Sequence, residues 1–192
     1  MKTRILIVLL CFGSLVYGQT KNEKEERVKK NTFPEKALKV IEQLPMNCKR
    51  LRFYKETDGQ KQSFEVKFKY NSKRYSLEFS TDGNIEDLEV IAKFKTIEDS
   101  IKSKVNSYFQ STFTKHKLIK VQKQYLYNSE FDPTIFVIDI LSQNWNKPPG
   151  FEIIAEVKAK KTRTVREFTF DQTGLFKSFR ILNPTSYEHV LY

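Results

Sequence analysis

The side chains that most often carry out chemistry are scarce in this sequence. Its histidines are His116 and His189 and its cysteines are Cys11 and Cys48, so neither a histidine metal cluster nor a structural cysteine set is available. It contains no G-x-S-x-G turn and no glycine-rich phosphate loop, the local signatures of many hydrolases and nucleotide-binding proteins. We therefore predict no catalytic residue, no metal site and no cofactor, and a protein that is not an enzyme. A Cys48–His116 pair or a Ser–His–Asp arrangement formed by the fold stays open.

The remaining candidates for function are charged residues that alternate with apolar ones. Such alternation places the charged side chains on one face of a β-strand. That face is either a solvated surface with weak ion pairs or a broad surface that docks another protein. The charged residues occur in two stretches 91 residues apart and are Glu65, Lys67, Lys69, Glu156, Lys158 and Lys160.

A further candidate is Trp145, which lies in a polar segment before Pro148-Pro149-Gly150. It either folds back to cap one end of a sheet or stands exposed as an anchor for a partner. Tryptophan is enriched among interface residues that carry binding energy, and rigid prolines reduce the entropy lost on docking. We favour the exposed anchor.

The N-terminus predicts the compartment. Two basic residues precede an apolar run at 5–12, which is too short to span a bilayer, and small residues follow it. This pattern is typical of a signal peptide, here residues 1–18 with cleavage after Gly18. The mature chain is therefore expected to be exported, periplasmic or secreted, without stable membrane insertion. Cys48 would be its one remaining cysteine, which leaves no internal disulfide.

The charge balance bears on the class of partner. The chain has 34 basic and 23 acidic residues, a net charge of +11. Such an excess can indicate nucleic-acid binding. Here lysines and glutamates are interleaved instead of forming a basic block, and export separates the chain from cytoplasmic nucleic acid. We expect the partner to be another exported or envelope protein, and not nucleic acid.

The central stretch of the chain, residues 62–91, predicts a three-stranded antiparallel meander with one apolar face. A two-residue turn at 72–73 would place Phe68 opposite Leu77. The Asp-Gly pair at 82–83 supplies the backbone conformation that a second tight turn needs. This meander is scaffold and carries no chemistry of its own.

Helices are predicted before this meander and again at 96–114, and the sequence repeats itself. Shifting residues 64–91 by 91 positions matches strands and turns of 155–182 without a gap. The repetition predicts an internal duplication. The second copy differs by an insertion at 127–150, whose β-rich run at 135–141 predicts either an extra strand or a protruding excursion.

These residues resemble the PepSY-like domain family, also called β-lactamase-inhibitor-like. The resemblance rests on Phe33-Pro34 at a helix start, Phe64-Glu65-Val66 on a strand, and the F-x-x-D-G pattern of residues 79–83; the segments Phe151-Glu152-Ile153 and 170–174 echo the last two. It implies tandem helix-on-sheet units in an exported, non-enzymatic bacterial protein that binds or inhibits another protein. The insertion at 127–150 departs from the family pattern.

The predicted fold is α+β, with two tandem units that each pack a helix on an antiparallel sheet of about four strands. A flexible polar leader at 19–31 precedes unit one at 32–94 and unit two at 95–192. The predicted function is an exported protein-binding module, with inhibition of a secreted or envelope enzyme as one form of it. The alternative is a periplasmic protein that binds a small ligand or an envelope polymer, which a ligand-sized pocket lined by aromatic residues would favour.

Overall fold

A computed structural model describes residues 19–183, which form one ten-stranded sheet with three helices. The predicted signal peptide, Cys11 and His189 lie outside the described residues. The strands are β1 (Gln19–Lys21), β2 (Glu23–Arg27), β3 (Lys49–Asp58), β4 (Lys61–Tyr70), β5 (Lys73–Ser80), β6 (Ile85–Ile91), β7 (Lys115–Leu126), β8 (Gly150–Ala159), β9 (Thr162–Phe170) and β10 (Phe176–Leu182). The helices are α1 (Glu35–Glu42), α2 (Asp99–Thr112) and α3 (Pro133–Ser142).

The order of the strands brings the two edges of the sheet together. It runs β1-β10-β9-β8-β7-β6-β5-β4-β3-β2, so β1 and β2, which are joined only by Asn22, lie at opposite ends of the list. The Asn22 backbone N–H donates to Asp58 Oδ1 over 2.9 Å. The N-terminal segment therefore runs along both edges and makes the sheet nearly closed and barrel-like.

The prediction of two tandem helix-on-sheet units is wrong. β6, at the end of the predicted first unit, pairs with β7 from Asp87 opposite Leu126 to Ile91 opposite Gln122, so one continuous sheet crosses the expected boundary. An unpaired strand edge exposes a row of backbone donors and acceptors, and pairing across the boundary satisfies them. The expectation that all pairing is antiparallel also fails, because β1 runs parallel to β10.

The expected flexible leader at 19–31 instead contains β1, β2 and a short 3-10 turn at Lys30–Thr32. These strands lack a recognisable sequence pattern because both of their faces are polar. Glu23 and Glu25 point into the interior of the sheet, while Lys24 and Glu26 are exposed. Strand prediction from apolar alternation cannot detect such a segment.

The insertion at 127–150 contains the helix α3 and not the expected strand or excursion. Asp132 caps the helix, since its carboxylate accepts hydrogen bonds from the backbone N–H groups of Thr134 and Ile135. Phe136, Val137, Ile140 and Leu141 are buried at helical spacing. The cap and this spacing outweigh the β-propensity of the run.

The apolar faces of the strands point outward, toward the helices. α1 and α3 share a core with β4, β5 and β6 that includes Val66, Leu77 and Leu88. α2 contributes Val105 and Phe109 to a second core over β7, β8 and β9. Successive side chains of a strand point to opposite faces, so the charged residues of the same strands point into the interior.

The first hairpin differs from its predicted register by two residues. Its turn is Asn71-Ser72, both with positive φ, and Phe68 lies opposite Tyr75. A shift of two residues keeps each side chain on its face, whereas a shift of one would exchange the faces. The predicted apolar face is therefore correct although the predicted partners are not.

Candidate functional site

The interior of the nearly closed sheet holds a charged cavity of about 220 Å³. It opens beside the β4–β5 turn, because Lys69 and Arg74, which flank that turn, belong to its lining. Fifteen of the lining side chains are polar: Lys21, Glu23, Glu25, Arg50, Arg52, Glu65, Lys67, Lys69, Arg74, Ser76, Glu89, Lys120, Gln122, Glu152 and Glu167. Charged groups enclosed in this way cost free energy unless they are paired or bind something.

Four cations form the mouth of the cavity: Arg50, Arg52, Lys69 and Arg74. Lys69 lies opposite Arg74 on the neighbouring strand. None of the four forms an ion pair with a carboxylate of residues 19–183. The positive charge of Arg50, then partial burial and the charges of Arg74 and Arg52, hold the pKa of Lys69 below its ordinary value. The mouth is therefore a cluster of repelling cations without an internal counter-charge.

A β-bulge sets the position of Arg50. The pairing of β3 with β4 shifts between Lys49 and Arg52, and Arg50 has a φ of 59°. A non-glycine residue in the left-handed region is uncommon, and bulges of this kind redirect side chains next to functional sites. Arg50 and Lys69 also line an adjoining surface depression with Asn71 and Ser72, so the cationic region extends beyond the cavity itself.

Behind the mouth, two lysines neutralise part of the interior. Lys67 Nζ lies 2.7 Å from Glu25 and 3.1 Å from Glu65. Lys21 Nζ lies 2.8 Å from Glu167, whose side chain is only 4% exposed. Burial alone would lower the pKa of Lys21, but Glu167 and Glu23 outweigh it and raise that pKa. These lysines remain charged and form ion pairs with carboxylates of the interior.

Glu89 and Glu152 form the part of the acidic lining that has no ion pair with any residue of 19–183. Burial, and then repulsion from Glu167, raise the pKa of Glu152 to about 7. Burial, and then repulsion from Glu152 and Asp87, raise the pKa of Glu89 well above its usual range. The two carboxyl groups are close enough to hydrogen-bond to each other. They hold a shared proton near neutral pH, because two adjacent carboxylates resist ionising together.

Two glutamines complete this group. Gln122 donates a hydrogen bond to Glu89, and Gln124 donates to Asp87 over 2.8 Å and to Glu152 over 3.3 Å. These amide donors orient the carboxyl groups of Glu89 and Glu152 from the adjacent strand β7. The side chains of Glu89 and Glu152 remain partly exposed to the cavity, which leaves these two carboxyl groups accessible to a ligand.

The carboxylate oxygens of Glu23, Glu25 and Glu56 lie within 4.8 Å of one another, a spacing that would suit a metal ion. Lysines already occupy this region, however, since Lys21 lies 2.5 Å from Glu23 and Lys67 lies 2.7 Å from Glu25. Burial, and then repulsion from Glu65, raise the pKa of Glu56 to about 12, so that carboxyl is protonated. We assign no metal to this group.

The structure brings together three of the six charged residues predicted from the alternating stretches. Glu65, Lys67 and Lys69 line the cavity, whereas Glu156, Lys158 and Lys160 do not. Glu156 instead pairs with Arg163 over 2.6 Å, and Lys160 lies at the β8–β9 turn with a φ of 55°. Binding at these six residues stays a prediction, but Glu65 and Lys67 are enclosed and do not form an open docking surface.

Glu156, Lys158 and Lys160 were matched to Glu65, Lys67 and Lys69 by an offset of 91 residues, which is not the offset that the strand pairing gives. Phe79 and Phe170 correspond at that offset, but Phe79 lies opposite Phe64 whereas Phe170 lies opposite Phe151. In this register the counterpart of Glu65 is the cavity residue Glu152, and not Glu156. The repeated Phe-Glu-Val and Phe-Glu-Ile segments contained the signal for Glu152, which the ungapped shift overlooked.

Trp145 is half-buried and packs against the first core. Its ring centroid lies 5.1 Å from that of Phe131 and 5.1 Å from that of Phe136, both edge to face. These contacts are those of a side chain that caps the core beside α3. The role of Trp145 as a partner anchor stays a prediction without support from its position.

The remaining candidates from the sequence, His116 and Cys48, contact different cores. His116 is half-buried and stacks, at 5.1 Å between ring centroids, on Phe109 of the core under α2. Cys48 is a free thiol at the edge of the other core, and burial raises its pKa. A raised pKa leaves the thiol protonated and unreactive.

The fold has counterparts among solved structures. A DUF2874 family protein from Bacteroides ovatus superposes with a TM-score of 0.51 at 8% identity, over 78% of this chain and 87% of that chain. A protein from Bacteroides eggerthii, provisionally described as periplasmic, gives a TM-score of 0.48 at 9% identity, over 78% of this chain and 88% of that chain. At such identity the first likeness concerns the fold alone.

Sequence comparisons add no assignment. No protein-family model matches the chain, and no curated protein matches it. The resemblance to PepSY-like domains is neither supported nor contradicted and stays a prediction. Within residues 19–183, no helix has the length and apolar character required to cross a membrane.

Proposed function

We propose that this protein binds a small polar ligand in the interior of its sheet, with an anionic group of that ligand at the cavity mouth. One observation carries the proposal. Arg50, Arg52, Lys69 and Arg74 all line the open end of the cavity and form no ion pair with a carboxylate among the described residues. Convergent charged groups in a concave site are typical of ligand recognition.

The cavity also argues for a small molecule over a docked protein surface. A volume of about 220 Å³ has room for an amino acid or a dipeptide of small residues. Its lining is mostly charged or polar, with Phe68, Tyr75 and Ile91 as the remaining side chains. The ligand is therefore a polar one, which is a form of the small-ligand alternative considered from the sequence. Association of anions is favoured because the mouth concentrates positive potential in a concave site. Export of the chain, which the N-terminus predicts, would make this a ligand found outside the cytoplasm.

Protein binding, including inhibition of a secreted or envelope enzyme, stays a prediction. Glu65 and Lys67, which were to dock a partner, line the interior, whereas Glu156, Lys158 and Lys160 lie outside the cavity. Such a partner would have to use those three residues, the cationic mouth or the outer loops. The absence of enzymatic activity also stays a prediction.

Ligand-induced stabilisation tests the proposed function. A ligand that binds only the folded state raises the melting temperature in proportion to the logarithm of its concentration above Kd. We expect small carboxylates, phosphates or sulfonates at millimolar concentration to raise the melting temperature of the wild-type protein. The triple variant Arg50→Gln/Lys69→Gln/Arg74→Gln should lose this effect.

The matched control is Lys161→Gln, which removes an exposed lysine at the β8–β9 turn, outside the cavity. It should respond to the same anions as the wild type does. Equal stabilisation of the triple variant, or no response of the wild type to any small anion, contradicts the proposal.

A further inference from the structure

We infer that the ligand is a zwitterion whose positive and negative groups stand several ångströms apart, such as a small dipeptide or an ω-amino acid. This inference rests on the proposed function and specifies the ligand class. It comes from the order of charges along the cavity, which runs from cations at the mouth to carboxyl groups without ion pairs deeper inside.

The cross-strand pairing gives the spacing of these charges. Lys69 and Arg74 are opposite each other at the mouth, and Ser76, two residues after Arg74 on the same strand, lies opposite Glu89 on β6. Two residues along a strand span about 7 Å. A ligand that reaches from the mouth cations to Glu89 therefore needs charges several ångströms apart, whereas the groups of an α-amino acid are adjacent.

The deep carboxyl groups are suited to an ammonium group. Glu89 and Glu152 have glutamine donors but no lysine or arginine within ion-pair distance in the described part of the chain. An ammonium group would supply the positive charge that this pair lacks, and its three donors would each find an acceptor. Ser76 Oγ is buried next to them without a hydrogen-bond partner among the described residues, and so offers a further polar contact.

Other charged groups surround Glu89 and Glu152 and influence how strongly these two carboxyl groups would bind an ammonium group. They are Asp87 on β6, Lys120 on β7, Glu167 on β9, Lys21 on β1 and Arg180 on β10. Lys21 and Arg180 form ion pairs with Glu167. Their charges lower the pKa of Glu152 and that of Lys120 lowers the pKa of Glu89, but only in part, so both pKa values stay above their ordinary range. A bound ammonium group should therefore displace the shared proton of the pair into solvent.

A ligand series measured by titration calorimetry tests the inference. The probes are glycine, 4-aminobutyrate, 6-aminohexanoate and glycylglycine, with N-acetylglycylglycine and glycylglycine amide as analogues that each lack one charge. We expect glycylglycine or an ω-amino acid to bind at least tenfold more tightly than glycine and than either analogue. Calorimetry in two buffers of different ionisation enthalpy should show proton release on binding near pH 6.5.

Variants locate the ammonium group. Glu89→Gln and Glu152→Gln should weaken the zwitterion at least tenfold and leave the affinity for N-acetylglycylglycine unchanged, because that analogue has no ammonium group. Glu130→Gln, which changes an exposed loop residue, is the matched control and should bind as the wild type does.

The outcomes separate the two proposals. If N-acetylglycylglycine binds as tightly as glycylglycine, the cavity takes anions only, and the inference is overturned while the proposed function stands. If no probe binds and no small anion raises the melting temperature, both fail. Binding of zwitterions without proton release, and unaffected by Glu89→Gln, also overturns the inference.

Discussion

Arg180 on β10 donates a hydrogen bond to Asp58 on β3 over 2.7 Å, although 122 residues separate them in the chain. The same guanidinium binds Glu167 through a second nitrogen at 2.6 Å. Arg180 therefore joins the strands that lie next to the two edges of the sheet and neutralises a deeply buried carboxylate at the same time. The two contacts differ in exposure, because the side chain of Asp58 is 25% exposed and that of Glu167 is 4% exposed.

Removal of Arg180 should cost much more than removal of Asp58. Arg180→Gln leaves Glu167 with Lys21 alone in a buried site, and breaking a buried ion pair costs about 3 kcal/mol. Asp58→Asn removes a partly exposed contact worth about 1 kcal/mol or less. Chemical denaturation should give these two losses in the free energy of unfolding. Equal losses would show that closure of the sheet, and not the charge of Glu167, dominates the contribution of Arg180.

Trp145→Ala should lower stability, because Trp145 caps the core beside α3 through Phe131 and Phe136. Truncation of a large aromatic side chain in a core costs about 3 kcal/mol or more, and somewhat less for a half-buried one. Trp145→Phe is the control and should retain most of the stability. Fluorescence of the wild-type tryptophan should be blue-shifted from that of free tryptophan. An unchanged melting temperature for Trp145→Ala would instead favour an exposed anchor.

Gly83→Ala should destabilise the protein more than Gly59→Ala does. Both glycines have positive φ, at 79° and 62°, where a side chain costs about 1 kcal/mol. A Cβ at Gly83 would also lie 2.8 Å from Pro34 Cβ and 3.0 Å from the backbone N of Ala37, whereas one at Gly59 meets nothing within 4 Å.

The difference between the two variants isolates the contact between α1 and the β5–β6 turn. Overpacking costs about 1–3 kcal/mol, so thermal or chemical unfolding should show at least that margin. If both variants lose the same amount, the contact yields easily and the close approach of α1 does not require glycine.

Stability should fall as the pH rises from about 5 to 8. The pKa values of Glu89, Asp87 and Glu152 are raised in the folded state, that of Glu152 to about 7. The folded protein therefore binds more protons than the unfolded chain in this window, and the free energy of unfolding decreases as the protons are lost. Glu167 acts in the opposite sense, because Lys21 and Arg180 overcome its burial and lower its pKa; its contribution is lost as the pH falls below its ordinary value of 4.5.

Glu152→Gln should make the decline between pH 5 and 8 shallower and increase stability at pH 8 by about 1–3 kcal/mol. Glu26→Gln, on the exposed face of β2, is the control and should leave the profile unchanged. Denaturation curves at a series of pH values provide the measurement. A profile for Glu152→Gln that coincides with that of the wild type contradicts the assignment.

The sequence by itself determined which side chains share a face of each strand. Alternation from Phe64 to Tyr70 predicts the apolar face correctly even though the register of the hairpin was misplaced by two residues, because side-chain direction has a period of two. It also determined the start of a helix at Phe33-Pro34 and the tight turn at Gly83, since prolines and positive-φ glycines act locally.

Only the tertiary structure decided whether the charged faces of the strands meet solvent or line a cavity. A charged strand face has the same sequence pattern whether it meets solvent or an enclosed cavity, and the difference depends on which strand edges pair. The pairing of β6 with β7 and the passage of residues 19–27 along both edges depend on distant backbone groups. The cationic mouth likewise required Arg50, Lys69 and Arg74 to meet from three strands, through a bulge whose position no local pattern indicates. The cavity is therefore a property of closure, which satisfies the hydrogen bonds of the sheet edges and encloses charges that the sequence alone would place in water.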